Sequence, residues 1–273
     1  MSYYKVLGLE KEPFSTSPDP LFFYESNEHR SAITRVLIEL SLRRGLSVIL
    51  GDVGTGKTTL SRKLFQILKE KENVIFHMLL DPTYASEDMF LSSLLKAFQI
   101  DTDGEGLNIV ECKEAVEKFL FKKGVEENKT VVLLIDEAQK LNEMSLEVLR
   151  VLLNYETNEY KLLQLVLLGQ MELFPKIKKM RNLWDRISLK YVINPLDEQE
   201  TSKMIDFRIQ QASFNPQREL FTDEAKQEIY KHTQGYPRRI SMLCHSALRT
   251  LVISKKTLVD KEIVKDVVYQ EVV

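Results

Sequence analysis

A phosphate-binding motif directly after a β-rich segment constrains the fold of this chain more than any other feature. Residues 51–58 fit the pattern G-x-x-x-x-G-K-[ST] at every fixed position, and the apolar run 46–50 precedes them. Such a loop aims successive backbone N–H groups at phosphate oxygens and opens a helix whose positive end favours an anion. The pattern predicts a strand, a loop and a helix that bind a nucleoside triphosphate. An ordinary glycine-rich turn is the disfavoured alternative.

The residues of this loop are expected to hold ATP together with Mg²⁺. Lys57 is expected to reach the β- and γ-phosphates, and the Thr58 hydroxyl is expected to bind Mg²⁺, which takes few protein ligands besides phosphates and water. The predicted nucleotide-binding residues of the loop are Gly51, Asp52, Val53, Gly54, Thr55, Gly56, Lys57, Thr58 and Thr59.

A second apolar run, which ends in two carboxylates, indicates that the nucleotide is also hydrolysed. Residues 130–135 have the pattern of a central parallel strand, and Asp136 and Glu137 follow it directly. Ligands of open parallel sheets bind at the carboxyl ends of the strands, so both acids are expected to face the crevice of the phosphate loop. Asp136 is predicted to order the Mg²⁺ shell, and Glu137 to deprotonate the attacking water. The alternative is a helix cap with a solvated neighbour.

Composition indicates a globular protein of the cytoplasm. The chain has 273 residues, of which 44% are hydrophobic and 29% charged, enough for a nucleotide domain and a smaller second domain. Cys112 and Cys244 lie far apart and suit neither a metal site nor a disulfide framework. The sequence has no signal peptide and no apolar stretch of membrane-spanning length, so direct membrane insertion is not expected. The net charge of −2 predicts no overall attraction to nucleic acid.

Hydrophobic periodicity divides the chain into three predicted parts. Residues 1–30 are rich in proline and aromatic residues and are interpreted as an extended strap on the core, which either covers apolar surface or forms part of an adenine pocket. Residues 31–196 alternate strand and helix patterns, which predicts an αβα core around a five-stranded parallel sheet. Residues 197–273 carry only amphipathic helical patterns and predict a small helical lid. The predicted strands are 46–50, 73–80, 130–135, 162–168 and 187–193, and the lid helices begin near Glu198, Thr222, Pro237 and Asp260.

This layout resembles AAA+ P-loop ATPases of the general secretion pathway A type over nearly the whole chain. The motifs that carry the resemblance are Pro13-Phe14, Pro18-Asp19-Pro20, Phe22-Phe23-Tyr24, His29-Arg30 and the segments 135–139, 165–170 and 235–238. The resemblance implies rings or arcs of identical subunits that use ATP to assemble or remodel a secretion or cell-envelope complex. It also implies a membrane or envelope partner protein, with recruitment to the inner face of the membrane. More distant resemblance to transposition-regulator and origin-recognition proteins leaves an ATP-switched DNA-binding adaptor as the alternative.

The resemblance also assigns roles to residues outside the two motifs. Gln170 matches a polar residue that contacts the γ-phosphate or the attacking water, although it could equally be a loop residue. Arg238 matches a lid arginine that senses the nucleotide, with Arg239 as the alternate. A helix N-terminus is an unfavourable place for arginine unless an anion faces it, which favours the nucleotide role.

Residues 176–190, here called the basic segment, concentrate the positive charge of the chain. They contain Lys176, Lys178, Lys179, Arg181, Arg186 and Lys190 against the single acid Asp185. A solvated helix face, a nucleic-acid patch and an edge that presents an arginine finger to the next subunit are the three interpretations. In the resembling proteins the finger lies just before the fifth strand, which favours Arg186 and keeps Arg181 in reserve. Trp184 alone offers base stacking, which argues against the nucleic-acid patch.

Overall fold

The computed structural model describes residues 2–17, 19–101, 106–213 and 219–272, and it forms two compact units. The sheet unit comprises His29–Asp52 and Leu60–Ile193. The helical unit comprises Met1–Glu28, Val53–Thr59 and Asn194–Val273. Three residues named in the sequence analysis lie outside the described residues. They are Pro18 of the N-terminal motif and the outermost residues of the predicted domains, Met1 and Val273.

Five parallel strands form one sheet in the sheet unit, which confirms the predicted fold class. The strands are β1 (Leu46–Gly51), β2 (Val74–Leu79), β3 (Thr130–Ile135), β4 (Leu163–Gly169) and β5 (Ile187–Ile193). Their order in the sheet is β2-β3-β4-β1-β5. Every residue of β1, β3 and β4 is buried, as expected for central parallel strands with apolar side chains on both faces. The edge strands β2 and β5 are partly exposed.

Helices connect the strands and make up the C-terminal part of the chain. The α-helices of the described residues are α1 (Tyr3–Val6), α2 (Asn27–Ser41), α3 (Lys57–Lys69), α4 (Glu87–Phe98), α5 (Ile109–Phe121), α6 (Glu143–Leu152), α7 (Leu173–Lys179), α8 (Arg181–Trp184), α9 (Glu198–Ala212), α10 (Asp223–Thr233), α11 (Pro237–Ser254) and α12 (Lys261–Val272). A π-helical turn, Lys122–Glu126, extends α5, and 3₁₀ turns occupy Pro20–Phe22 and Ala138–Lys140. No helix of the described residues combines the length and the apolar character needed to cross a bilayer.

Polar capping residues fix where five of these helices begin. The side chains of Ser86, Asn108, Asn142, Asp197 and Thr222 each accept a hydrogen bond from a backbone N–H in the first turn of the following helix. These first N–H groups have no partner within the helix, so a side-chain oxygen at the cap satisfies them.

The N-terminal segment contributes apolar side chains to the core of the helical unit. Leu7, Leu9, Phe14 and Phe22 are buried in one cluster with side chains of α9 to α12. Phe14 meets Phe221 edge-on, with 5.9 Å between ring centroids. The sequence-based division placed this segment on the nucleotide core, whereas its buried apolar side chains pack here with the lid helices.

A buried arginine ties the same segment to the lid helices. The Arg208 guanidinium on α9 donates hydrogen bonds to the Phe22 carbonyl oxygen at 3.1 Å and to Ser241 Oγ at 2.6 Å. Burial lowers the pKa of Arg208 to about 10, so the side chain stays charged at neutral pH among neutral acceptors. Arg208 therefore joins the N-terminal segment, α9 and α11 through one side chain.

Candidate functional site

The phosphate loop has the backbone that the motif predicts. In the helical unit, φ is +85° at Gly54 and +95° at Gly56, a region in which residues with a side chain are strained. Helix α3 begins at Lys57 and has no acidic residue in its first turn, so no carboxylate of that turn offsets the positive end of its dipole. Lys57 itself is buried, with 5% of its surface exposed. These features fit a triphosphate.

Arg238 lies directly against this loop. Its backbone N–H donates to the Gly54 carbonyl oxygen at 3.3 Å, and a Cβ added to Gly54 would lie 3.0 Å from the Cβ of Arg238. Gly54 therefore allows the first turn of α11 to approach the phosphate loop closely. Arg239, the alternate, has its guanidinium 4.7 Å from the ring centroid of Tyr236. Of the two arginines, Arg238 is the one that contacts the loop through its backbone.

A glycine turn fixes where α11 begins. Gly235 has φ +74°, and a Cβ at this position would lie 1.8 Å from the Leu196 carbonyl oxygen. The Leu196 N–H donates a hydrogen bond to the Gly235 carbonyl oxygen at 2.9 Å. Pro237 then occupies the first position of the helix, where its missing N–H costs nothing. Only glycine fits this turn, so the motif 235–238 sets the location of Arg238.

In the sheet unit, Asp136 emerges from β3 as a buried and fully oriented carboxylate. It is 1% exposed. Ser61 Oγ donates to Asp136 Oδ2 at 3.2 Å, and the Glu137 N–H donates to Asp136 Oδ1 at 2.9 Å. A carboxylate in the protein interior needs such donors, and here each of its oxygens has one. A hard oxygen ligand of this kind suits Mg²⁺.

Glu137 adopts a backbone conformation that is uncommon for a residue with a side chain. Its φ is +53°, in the left-handed region, at the entrance to the 3₁₀ turn Ala138–Lys140. Such backbone strain costs about 1–3 kcal/mol and persists only where surrounding contacts enforce it. The extended backbone of β3 therefore ends before Glu137, and the chain enters the 3₁₀ turn.

Gln139 connects Glu137 to the end of the neighbouring strand β4. Gln139 Nε2 donates to Glu137 Oε2 at 2.7 Å, and Gln139 Oε1 accepts the Gln170 backbone N–H at 3.0 Å. The paired strands place Ile135 beside Leu167, so β3 and β4 end at the same edge of the sheet. We call Asp136, Glu137, Gln139 and Gln170 the strand-end cluster. Sequence reasoning did not select Gln139, although it closes the segment 135–139.

The basic segment divides between this cluster and solvent. Lys176 donates to the carbonyl oxygens of Gln139 and Leu141 and so holds the 3₁₀ turn. Arg186 donates to Asn154 Oδ1 and to a main-chain carbonyl oxygen, whereas the Arg181 side chain is 91% exposed. The structure therefore gives the two finger candidates different surroundings.

The predicted site residues are distributed over both units. Val53–Thr59 and Arg238 belong to the helical unit, and Gly51, Asp52, Asp136, Glu137, Gln170 and Arg186 belong to the sheet unit. The described residues contain no group of three or more His, Cys, Asp or Glu side chains that could hold a metal ion by themselves. The residues predicted for Mg²⁺, Thr58 and Asp136, are instead a hydroxyl and a carboxylate, a donor set that suits an ion shared with phosphates.

The parallel sheet, the phosphate loop and the acids after β3 define a P-loop nucleotide-binding protein of the AAA+ class. A family profile described as AAA domain matches residues 41–177. General secretion pathway protein A of Aeromonas hydrophila is 36% identical over 256 residues, which cover 90% of this chain and 44% of that protein. The chain belongs to the AAA domain family and is a relative of general secretion pathway protein A.

Solved structures of several other proteins have the same fold. A Drosophila ORC chain, solved bound to DNA, has a TM-score of 0.71 at 18% identity, with 100% of this chain and 66% of that chain covered. Cdc6p of Pyrobaculum aerophilum has a TM-score of 0.67 at 16% identity over 90% of this chain and 67% of that chain. The Thermotoga maritima RuvB branch migration motor has a TM-score of 0.58 at 17% identity over 90% of this chain and 72% of that chain. At these identities the likeness establishes a common fold.

Proposed function

We propose that this chain is a Mg²⁺-dependent ATP hydrolase whose turnover drives the assembly or remodelling of a secretion or cell-envelope complex. One observation carries the hydrolytic part: a buried Asp136 with a donor on each carboxylate oxygen is followed by Glu137 in a strained, hydrogen-bonded position. The pathway is inferred from the name of the bacterial relative, of which this chain spans 44%.

Each residue of the site has a separate task in this proposal. Lys57 and the loop N–H groups bind the phosphates, and Arg238 senses the nucleotide from the start of α11. Glu137 takes a proton from the attacking water, while Gln170 contacts the γ-phosphate or that water. Thr58 and Asp136 would hold Mg²⁺, which would supply positive charge against the negative charge that develops on the phosphate oxygens.

Assembly completes the site. Arg186 acts as an arginine finger for the neighbouring subunit of a ring or arc, with Arg181 as the alternate. Hydrolysis then depends on the contact between subunits, and a membrane or envelope partner protein recruits the cytoplasmic assembly to the inner face of the membrane. Coupling of this kind makes the assembly, and not the single chain, the active form.

Two substitutions separate binding from hydrolysis. Lys57→Ala is expected to abolish tight ATP binding because it removes the phosphate charge. Glu137→Gln is expected to bind ATP normally and to hydrolyse it about 10²–10⁴-fold more slowly, because only general-base catalysis is lost. Isothermal titration with ATP and steady-state phosphate release measure the two effects. Asp136→Asn serves as a third variant, in which the Mg²⁺ dependence of both steps weakens.

The outcome that would overturn this assignment is hydrolysis by Glu137→Gln at the wild-type rate, because Glu137 would then not be the base. The same variant, locked with ATP, tests the pathway when used as bait in native extract. Capture of envelope or secretion components supports the proposed role. Capture of DNA-processing proteins alone favours the second candidate.

An ATP-switched DNA-binding adaptor is that second candidate, and one observation favours it. Lys190 Nζ lies 3.6 Å from the ring centroid of Trp184, and Trp184 contacts Phe174 edge-on at 5.1 Å. Lys178 Nζ lies 6.0 Å from the centroid of the Phe174 ring. Alternating cations and aromatic faces are used to bind single strands, and Phe174 supplies a second aromatic ring beside Trp184.

A further inference from the structure

The side-chain amide of Gln139 forms the link between the ends of β3 and β4. It is buried, with 7% of the residue exposed. Its nitrogen donates to the Glu137 carboxylate at 2.7 Å, and its oxygen accepts the Gln170 N–H at 3.0 Å. An amide rotated by 180° would place its oxygen against the carboxylate and its N–H₂ against an N–H group. Both contacts would then be lost, so the surroundings permit one orientation.

We propose that Gln139 is a positioning residue that couples Gln170 to Glu137, so that contact of Gln170 with the γ-phosphate sets the orientation of the base. The inference rests on the proposed hydrolytic function. Gln139 does not touch the reacting atoms. It transmits a displacement of the β4 end to the carboxylate through two hydrogen bonds on one rigid planar group.

The surroundings of Gln139 hold this group tightly. A Cβ on Gly169 would lie 3.3 Å from both the backbone nitrogen and Oε1 of Gln139, so the end of β4 passes unusually close to it. Lys176 donates to the Gln139 and Leu141 carbonyl oxygens, which fixes the 3₁₀ turn from the side of α7. A backbone shift at the end of β4 therefore moves the amide, because little slack remains between them.

The hydrogen bond from Gln139 leaves the Glu137 carboxylate able to act as a base. Gln139 Nε2 occupies Oε2 of the carboxylate, and a hydrogen bond from a neutral amide restricts the rotation of the Glu137 side chain without neutralising it. The left-handed φ of +53° at Glu137 places the side chain where this short link from two residues ahead can reach it. The strained backbone and the amide link are thus two parts of one arrangement.

Two substitutions at position 139 test the coupling, and Gln164 provides a matched control. Gln164 is 1% exposed and uses its amide in the same way, accepting the Gly45 N–H at 2.9 Å and donating to the Lys161 carbonyl oxygen at 2.7 Å. It lies near the opposite end of β4. Gln139→Leu and Gln164→Leu each remove two buried amide hydrogen bonds, so similar losses of stability are expected from both.

Gln139→Leu is expected to lower kcat about 10–100-fold, the usual cost of losing a residue that orients a catalytic group, and to change the KM for ATP less than threefold. Gln164→Leu is expected to keep kcat within threefold of wild type. Hydrogen exchange of the Gln170 amide, measured without nucleotide, is expected to accelerate in Gln139→Leu and to remain protected in Gln164→Leu.

Gln139→Glu separates the two hydrogen bonds of the amide. It keeps an acceptor for the Gln170 N–H but has no N–H₂ group to donate to the Glu137 carboxylate. Protection of the Gln170 amide is therefore expected to persist, while kcat is expected to fall as it does in Gln139→Leu.

The two hypotheses fail in different ways. Hydrolysis by Glu137→Gln at the wild-type rate overturns the proposed function whatever position 139 does. If Glu137→Gln is inactive but Gln139→Leu matches Gln164→Leu in kcat, or Gln139→Glu keeps kcat within threefold of wild type, the coupling through Gln139 is wrong.

Discussion

The strand-end cluster and the solvent-exposed residues of the basic segment belong to the same unit but satisfy their polar groups in opposite ways. In the cluster, Asp136 and Gln139 are buried and bind other groups of the same chain. In the basic segment, Arg181 is 91% exposed and lies 3.9 Å from its nearest carboxylate, Asp185, which is itself 64% exposed. An ion pair this exposed contributes little to stability.

This difference separates two kinds of group. Some groups are already oriented by neighbouring residues of the same chain, and others keep a charge that another molecule can bind. Buried, mutually bonded groups are oriented before any ligand arrives, which is what a general base needs. Exposed cations with neutral or aromatic neighbours keep their charge available to an external anion. We therefore expect changes in the two regions to differ in how they depend on protein concentration, salt and partners.

The largest expected effect is the loss of ATP turnover when Arg186 is replaced. If Arg186 completes the site of the next subunit, Arg186→Ala should leave ATP binding intact and reduce turnover by about 10³–10⁵-fold. Arg181→Ala, in the same segment and more exposed, is the matched control and should stay close to wild type. Phosphate release at several protein concentrations measures the effect, and wild-type specific activity is expected to rise with concentration.

A mixture of two inactive proteins tests whether Arg186 acts between subunits. Arg186→Ala retains a nucleotide pocket and Lys57→Ala retains a finger, so the mixture should recover part of the activity. Absence of any recovery, together with wild-type turnover that is independent of concentration, would show that Arg186 acts within its own chain. Loss of activity in Arg181→Ala but not in Arg186→Ala would instead assign the finger to Arg181.

A smaller effect is expected from Ser61, which orients Asp136 from α3. Ser61→Ala removes the 3.2 Å hydrogen bond to Asp136 Oδ2, and bonds to charged groups contribute about 1.5–3 kcal/mol. We expect the Mg²⁺ concentration for half-maximal turnover to rise about tenfold. Ser145→Ala is the control, because this serine is fully buried and its hydroxyl has no hydrogen-bond partner within the described part of the chain. Equal Mg²⁺ requirements in both variants would contradict the role of Ser61.

The smallest expected effect concerns DNA. We expect the protein not to bind DNA at physiological salt. Fluorescence anisotropy with a labelled duplex and a labelled single strand, each with and without ATP, measures it directly. Steeply salt-dependent binding that requires ATP would contradict the role proposed for Arg186, because the basic segment would then bind nucleic acid instead of a neighbouring subunit. In that case Lys190→Gln should lower the slope of log affinity against log salt by about one.

The sequence predicts the sheet unit well because its signals are local. The predicted bounds of all five strands agree with the structure to within one residue at each end, since buried parallel strands carry continuous apolar runs that polar or glycine residues interrupt. The left-handed backbone at Gly54 and Gly56 likewise follows from the motif. The starts of the lid helices were also predicted to within one residue, because Asp197 and Thr222 are typical caps and Pro237 is a typical first residue.

The sequence could not predict contacts that depend on side-chain direction. The link from Gln139 to Gln170 requires the pairing of β3 with β4 and one rotamer of an amide, neither of which leaves a local pattern. The partner of the N-terminal segment is equally hidden, because the apolar character of Phe14 and Phe22 predicts that they are buried but not against which helices. The functional roles assigned to the site residues and the three-part division of the chain stay predictions.

The tie between Arg208 and Phe22 has a consequence for how the chain folds during synthesis. These residues are 186 positions apart, and Tyr3 meets His245 across 242 positions. At about 5–20 residues per second, roughly 10–40 s separate the emergence of the two ends of the Arg208 contact. All strands from β1 to β5 are synthesised within this interval, during which the apolar side chains of Phe14 and Phe22 remain exposed to water. We therefore expect this short aromatic segment of the nascent chain to stay accessible to chaperones for a longer time than any segment of the sheet.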